Sequence, residues 1–334
     1  MTNTTTISEA FRGCMLGAAV GDAIGLPVEF MGIDAIRAKF GPAGIQGYEP
    51  CYNGLGKFSD DTQMSLFTAE GLLWADAGES DLITAGAQAL INWLHTQGTR
   101  NSYLAPEHIG LVARHELHQR RAPGNTCLTS LSAMRKLGQL AVNDSKGCGA
   151  VMRMHPVGLY CWAKGFNLSG TMKIANTLGA LTHAHESGYL SGGAMAVMVR
   201  ALLNGFSLRD AAHQALCELA DHQGGEETAD AINEALRLAP TDMPTDQAIR
   251  ILGEGWVGEE ALAVALYCAL KATSFKEGVL LAANHSGDSD STASIAGALL
   301  GLIHGVNGIP AEWLDGLEQR DLVELMGANL FEVA

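Results

Sequence analysis

The sequence predicts an all-α protein, and three observations carry that prediction. Ala, Leu and Met recur at three- and four-residue spacing almost throughout, which is the period of a helix face. Alternating β-branched runs are almost absent. Gly and Pro concentrate in segments 41–56, 122–125, 143–156 and 308–310, which read as loops. The spacing then predicts helices, in order, at 8–24, 60–77, 82–96, 106–118, 126–137, 169–183, 187–203, 208–221, 259–273, 276–284 and 291–304. The polar stretch 221–246, with Gly224-Gly225-Glu226-Glu227 and a Pro240–Pro244 pair, reads as a surface excursion rather than a domain linker. One domain over residues 1–334 is therefore expected.

Two of these helices carry glycine stripes. Gly13, Gly17, Gly21 and Gly25 repeat every four residues in the first, and Gly297, Gly301 and Gly305 do so in and just after the last. Each interior Gly costs about 1 kcal/mol of helix propensity relative to Ala, so a compensating close approach is expected. The first helix and the 291–304 helix are predicted to pack against each other and close the fold end to end.

Composition bounds the function. With 47% hydrophobic and 17% charged residues, the 334-residue chain has ample material for a core. A formal net charge of −15 argues against duplex nucleic acid on a broad basic surface and against anionic membranes. Seven cysteines without a C-x-x-C pair read as reduced thiols of a cytoplasmic protein. The first residues lack a basic segment followed by an apolar core, so no signal peptide is expected. The apolar run 293–306 is too short and too rich in Gly to span a bilayer.

Two acidic segments stand at predicted helix starts. Phe58-Ser59-Asp60-Asp61-Thr62 opens the 60–77 helix, and Gly287-Asp288-Ser289-Asp290-Ser291 opens the last. Taken singly, Ser59 is an N-cap and the acids favour a helix N-terminus. Taken together, each is a hydroxyl beside two carboxylates, and the glycine stripes would let the two groups meet. Hard oxygen clusters of this kind suit Mg²⁺ or Mn²⁺.

At these residues the chain resembles the ADP-ribosylglycohydrolase family, which includes dinitrogenase reductase-activating glycohydrolase. The matching stretches are Gly13 to Glu29, Ser59-Asp60-Asp61-Thr62, Lys146 to Arg153, Thr182-His183-Ala184-His185 and Gly287 to Ser291, in the family's order and over nearly the whole chain. The resemblance implies a compact single-domain orthogonal helical bundle with a central bimetal cleft. It implies two Mg²⁺ or Mn²⁺ ions held by Ser59, Asp60, Asp61, Asp288, Asp290 and Ser291. It also implies hydrolysis at the terminal ribose of ADP-ribose, with an ADP-ribosylated protein as substrate and ADP-ribose as product. Ser59 and Ser291 stand where Thr is common in the family, and Cys148 stands where Asn is common.

Cleaving a ribosyl bond needs an aimed water, a base for it and a rigidly held substrate. Asp60 or Asp61 is the expected base, with Glu29 as the rival. Lys146, Gly147, Cys148, Gly149, Met152 and Arg153 are expected to hold the diphosphate through backbone N–H groups and added positive charge. Asn125, after Arg120-Arg121, and His183 complete the expected substrate contacts. Trp256 reads as either an adenine or acceptor contact or, more simply, core. Arginine-linked ADP-ribose is the leading substrate. Serine-linked ADP-ribose, O-acetyl-ADP-ribose, modified nucleic acid and a non-catalytic ADP-ribose binder stay open. An isoprenoid synthase is disfavoured, because Met64 breaks its Asp-Asp-x-x-Asp/Glu pattern.

Overall fold

In the computed structural model, which describes residues 6–78, 80–104 and 109–334, the chain is all-α. Its α-helices are α1 (Ile7–Gly25), α2 (Ile33–Phe40), α3 (Asp60–Asp76), α4 (Leu82–Thr96), α5 (Asn125–Ala133), α6 (His155–Ala163), α7 (Leu168–Gly179), α8 (Glu186–Leu203), α9 (Leu208–Leu219), α10 (Glu226–Leu238), α11 (Thr245–Leu252), α12 (Gly258–Lys271), α13 (Phe275–Ala283), α14 (Ser289–His304), α15 (Ala311–Gly316) and α16 (Arg320–Glu332). Among the described residues there is no β-strand, only two isolated bridges.

Helix α1 is the axis of the molecule. It starts at a capping box, where Thr6 Oγ1 accepts from the Glu9 N–H and the Glu9 carboxylate accepts from the Thr6 N–H. Every residue from Gly13 to Gly25 is buried, so that stretch of the helix has no solvent face. The stretch Ile7–Val28 is long and apolar enough to cross a membrane, yet it is almost entirely packed inside the protein, as in a core helix.

The glycine stripes meet as predicted, and they do so antiparallel. A methyl group on Gly17 would sit 2.2 Å from the Gly297 carbonyl oxygen, and one on Gly13 would sit 2.3 Å from that of Gly301. The reciprocal distances are 2.1 Å from Gly297 to the Gly17 oxygen and 2.0 Å from Gly301 to the Gly13 oxygen. Farther along, Gly21 faces the Ala293 carbonyl at 2.0 Å and Gly25 that of Ser289 at 2.2 Å. The backbones of α1 and α14 therefore touch with no side chain between them, close enough for Cα–H···O contacts. This makes α1–α14 the most extensive helix pair in the fold. Helices α3, α13 and α16 pack around α1, while α12 packs against α8, α10, α13 and α14.

The helix map corrects the sequence reading in several places. The helix expected at 106–118 is not one: residues 105–108 lie outside the described set, and Gly110–Ala113 and His115–Leu117 are separate 3₁₀ turns. Gly110, at φ +70°, and the peptide N–H of Leu111, which bonds the Glu70 carboxylate, take the place of a regular helix start. The 221–246 excursion contains α10 and most of the approach to α11, both amphipathic helices packed on α12. Short α2, α6, α15 and the C-terminal α16 were also hidden in the sequence. Pro156 at the N-terminal end of α6, where a helix tolerates it, explains why the expected loop ran to residue 156 and the helix was missed.

The backbone contact yields a stability prediction. Gly17→Ala and Gly297→Ala each gain helix propensity of about 1 kcal/mol, yet each drives a methyl into a carbonyl. Overpacking of a rigid contact costs roughly 1–3 kcal/mol or more. We expect thermal melts to show both variants below wild type, with Gly17→Leu and Gly301→Leu lower still. Unchanged melting temperatures would show that the helices separate freely.

Candidate active site

Helix starts build the site. Ser59 caps α3, its Oγ accepting from the Asp61 N–H at 3.1 Å, and Asp288 caps α14 by accepting from the Ser291 N–H at 3.3 Å. Because α14 is locked to α1, and α1 passes beside the start of α3, the two acidic segments converge. Ser291 Oγ donates to Asp61 Oδ1 at 3.4 Å, a contact between residues 230 positions apart in sequence.

The residue that joins the layers is Asp22, to which the sequence reading gave no role. It lies on α1, fully buried, and accepts from the Ser59 N–H at 2.8 Å, the Thr62 N–H at 3.0 Å and Thr62 Oγ1 at 2.5 Å. A lone carboxylate in the otherwise apolar, glycine-striped stretch Gly13–Gly25 was the available signal, since a buried Asp must be bonded. Behind the α3 start, buried Arg121 donates to the Phe58 carbonyl at 3.0 Å and to Glu318 at 2.9 Å, and its carbonyl accepts from the Asp60 N–H at 2.9 Å. Arg121 is thus occupied in holding the chain and is not a free anion contact. On the other side, Gly287 takes φ +132°, which favours glycine, and the next N–H, of Asp288, donates to the Glu254 carbonyl at 2.8 Å. A side chain at Gly287 would also collide with that same carbonyl, at 2.0 Å.

These supports frame an open cleft of about 340 Å³. Asp60, Asp61, Asp288, Asp290, Ser291 and Glu29 all line it. Carboxylate oxygens of Glu29, Asp288 and Asp290 lie within 4.8 Å of one another. Asp60 Oδ2 accepts from the Gly124 N–H at 3.3 Å, whereas buried Asp61 Oδ2 has no partner. No ion pair among the described residues reaches any of these carboxylates. Burial, then the charges of Asp288, Asp60 and Asp22, push the Glu29 carboxyl up to about 9. Burial raises Asp60, Asp61 and Asp290 well above the usual range, and neighbouring carboxylates add to it. Asp22 rises to about 6 through burial, against the lowering effect of its hydrogen bonds. A dense set of hard oxygen donors, one of them buried and unpartnered, fits divalent cations. Ser59, fully buried next to Asp60, is not itself part of the cleft lining, and its hydroxyl serves as the α3 cap.

The expected substrate loop divides. Gly147, Cys148, Gly149, Met152 and His183 line the cleft, as does Asn125 at the first turn of α5, whose N-terminus has no side-chain cap. Two expected contacts face elsewhere. Lys146 does not line the cleft, because its ammonium pairs with Glu227 and, at 2.8 Å, with Glu259. Arg153 is fully buried behind the loop, donating to the Gly149 carbonyl at 3.0 Å and to Thr182 Oγ1 at 2.8 Å. It braces the loop and bonds no carboxylate. His183 is held by Thr182 Oγ1 at 2.9 Å from Nδ1, and burial followed by the Arg153 charge pushes its pKa down to about 3, so the ring is neutral. Trp256 is not core: it is 36% exposed at the cleft edge and stacks on Phe30, with centroids 5.3 Å apart and planes 16° apart. Phe30, with φ +66° and 74% exposed, was invisible to the sequence reading.

The sequence profile of the ADP-ribosylglycohydrolase family matches residues 3–334. ADP-ribosylarginine hydrolase Tri1 of Serratia proteamaculans is 25% identical over 97% of this chain and 79% of its own. ADP-ribosyl-[dinitrogen reductase] glycohydrolase of Rhodospirillum rubrum is 25% identical, covering 94% of this chain and 92% of its own. A solved ADP-ribosylglycohydrolase-related protein complex shares the fold, with a TM-score of 0.68, 22% identity and 98% coverage of both chains.

The raised carboxyl of Glu29 has a sign. Its folded form holds a proton that the unfolded form, at the ordinary value of 4.5, has released, so its contribution is intact below 4.5 and fades as pH rises through about 9. In EDTA, thermal stability should fall across that window, and Glu29→Gln should flatten the fall. Equal pH slopes for the two proteins would show that Glu29 is ionised in the folded state.

Proposed function

We propose that this chain, which belongs to the ADP-ribosylglycohydrolase family and hydrolyses glycosidic bonds of ADP-ribose, takes ADP-ribosyl-arginine on protein as its substrate. The observation that carries this reading is the exposed Phe30–Trp256 aromatic pair at the edge of the acidic cleft. The Phe30–Trp256 face at its edge offers a stacking surface for a planar cation. The arginine-specific names among the relatives support the same acceptor.

The cofactors in this proposal are two divalent cations, Mg²⁺ or Mn²⁺, held by Asp60, Asp61, Asp288, Asp290, Ser291 and Ser59, with Glu29 beside them. Such cations would supply Lewis-acid charge to ribose oxygens and to the attacking water. The remaining steps belong to the chain. The Asp60–Asp61 pair accepts the water's proton, a reading that the partnerless Asp61 Oδ2 supports. The uncapped α5 N-terminus and the Gly149 N–H face the diphosphate, since the Gly147 and Cys148 N–H groups already donate to Ser145 Oγ and the Trp256 carbonyl, and they replace the side-chain cations that Lys146 and Arg153 do not provide. Neutral His183 bonds the ribose or a phosphate oxygen. Arg153 holds the Gly149 carbonyl in place and acts only through it. Seven unpaired thiols and the acidic charge support a cytoplasmic setting.

The test is a panel of arginine-linked, serine-linked and O-acetyl-ADP-ribose substrates assayed with Mg²⁺, Mn²⁺ and EDTA. ADP-ribose should be released from the arginine-linked protein with either cation and not in EDTA. Asp60→Asn and Asp61→Asn should each lower that release by about 10²-fold or more. Release confined to a serine-linked or O-acetyl substrate would overturn the acceptor assignment, and undiminished release in EDTA the cations.

A further inference from the structure

We infer that Cys148 tunes which divalent cation the cleft takes: its sulfur joins the oxygen donors and biases the site toward borderline cations such as Co²⁺ and Zn²⁺ relative to Mg²⁺. The inference rests on the proposed reading of the carboxylate cluster as a cation site.

The geometry is specific. Cys148 Sγ lies 2.9 Å from Asp288 Oδ2, to which its S–H donates, and 3.6 Å from the Ser291 hydroxyl. That same hydroxyl reaches Asp61 Oδ1 at 3.4 Å, so Ser291 bridges the thiol and the carboxylate of α3. Asp61, 2% exposed, lines the same cleft; its Oδ1 meets Ser291, and its Oδ2 is buried with no hydrogen-bond partner. The sulfur is also fixed in place. The Cys148 N–H donates to the Trp256 carbonyl at 3.2 Å, Gly147 bridges to Val257, and the Gly258 N–H donates to the Lys146 carbonyl at 2.7 Å. Cys127 shares the cleft, but its sulfur faces the Gly149 carbonyl at 4.0 Å and no carboxylate.

Carboxylate and hydroxyl oxygens suit Mg²⁺, whereas sulfur selects softer ions. A cation entering here replaces the proton on Cys148: the sulfur lone pair forms the new bond, the proton leaves to bulk water, and no oxidation state changes. Mg²⁺ gains little from that exchange and keeps its oxygen ligands.

Co²⁺ is the probe, because sulfur bonded to cobalt gives a charge-transfer band in the near ultraviolet. Wild-type protein titrated with Co²⁺ should show the band, C148S and C148A should lack it, and C127S should keep it. Calorimetric titrations with Mg²⁺, Co²⁺ and Zn²⁺ should show Co²⁺ and Zn²⁺ weakened relative to Mg²⁺ by about 10-fold or more in C148S. Taking the ratio removes the general preference of any site for later transition metals. Circular dichroism of both Cys148 variants should match wild type. Cobalt binding without the band, or a ratio unchanged in C148S, would overturn the role of Cys148 while leaving the cation reading intact. Failure of the wild type to bind any of the three cations would overturn both.

Discussion

The close contact of α1 with α14 is the constraint on which the rest depends. Two helices stripped of side chains along one face approach until backbone meets backbone, which fixes both their separation and their axial register. Gly13 faces Gly301, Gly17 faces Gly297, and Gly25 faces Ser289, at the first turn of α14. The contact therefore delivers the Asp288–Ser291 segment to the end of α1, beside Asp22. A slip of one helical turn, about 5.4 Å, would separate the acidic groups.

Asp22 turns that helix pair into a site. Its three bonds to Ser59 and Thr62 dock the start of α3 on α1, leaving Asp60 and Asp61 facing Asp288 and Asp290. The arrangement concentrates carboxylates that repel one another in a partly dehydrated cleft. Without a compensating cation the protein meets that cost by holding protons on several of them, with Glu29 as the clearest case. The same crowding of carboxylates that costs stability is what fits the cleft to a cation.

Positive charge reaches the cleft by an indirect route. Lys146 and Arg153, the obvious cations of the Gly147–Gly149 loop, are both committed to holding structure: one pairs with Glu227 and Glu259, the other bonds Gly149 and Thr182. What faces the cleft is backbone, from Gly149 and from the uncapped end of α5. Fixed N–H groups can bind a diphosphate without neutralising the carboxylates next to it, as a mobile lysine would.

The all-α class, most long helices, the α1–α14 pairing and the paired acidic segments were legible in the sequence, because periodicity, glycine spacing and helix-start residues are local patterns. Local patterns failed where a helix was short or began with proline, as in α2 and α6, and where amphipathic segments such as α10 looked merely polar. They failed for side-chain direction as well. Whether Arg153 points into a cleft or behind it, whether Trp256 is core or rim, and whether Asp22 is idle or the joint between layers depend on neighbours more than 20 residues away in the chain. The sequence by itself determined which residues could form an acidic hydrolytic site; only tertiary structure decided which of them share it, because a residue's partners are set by the packing of distant helices.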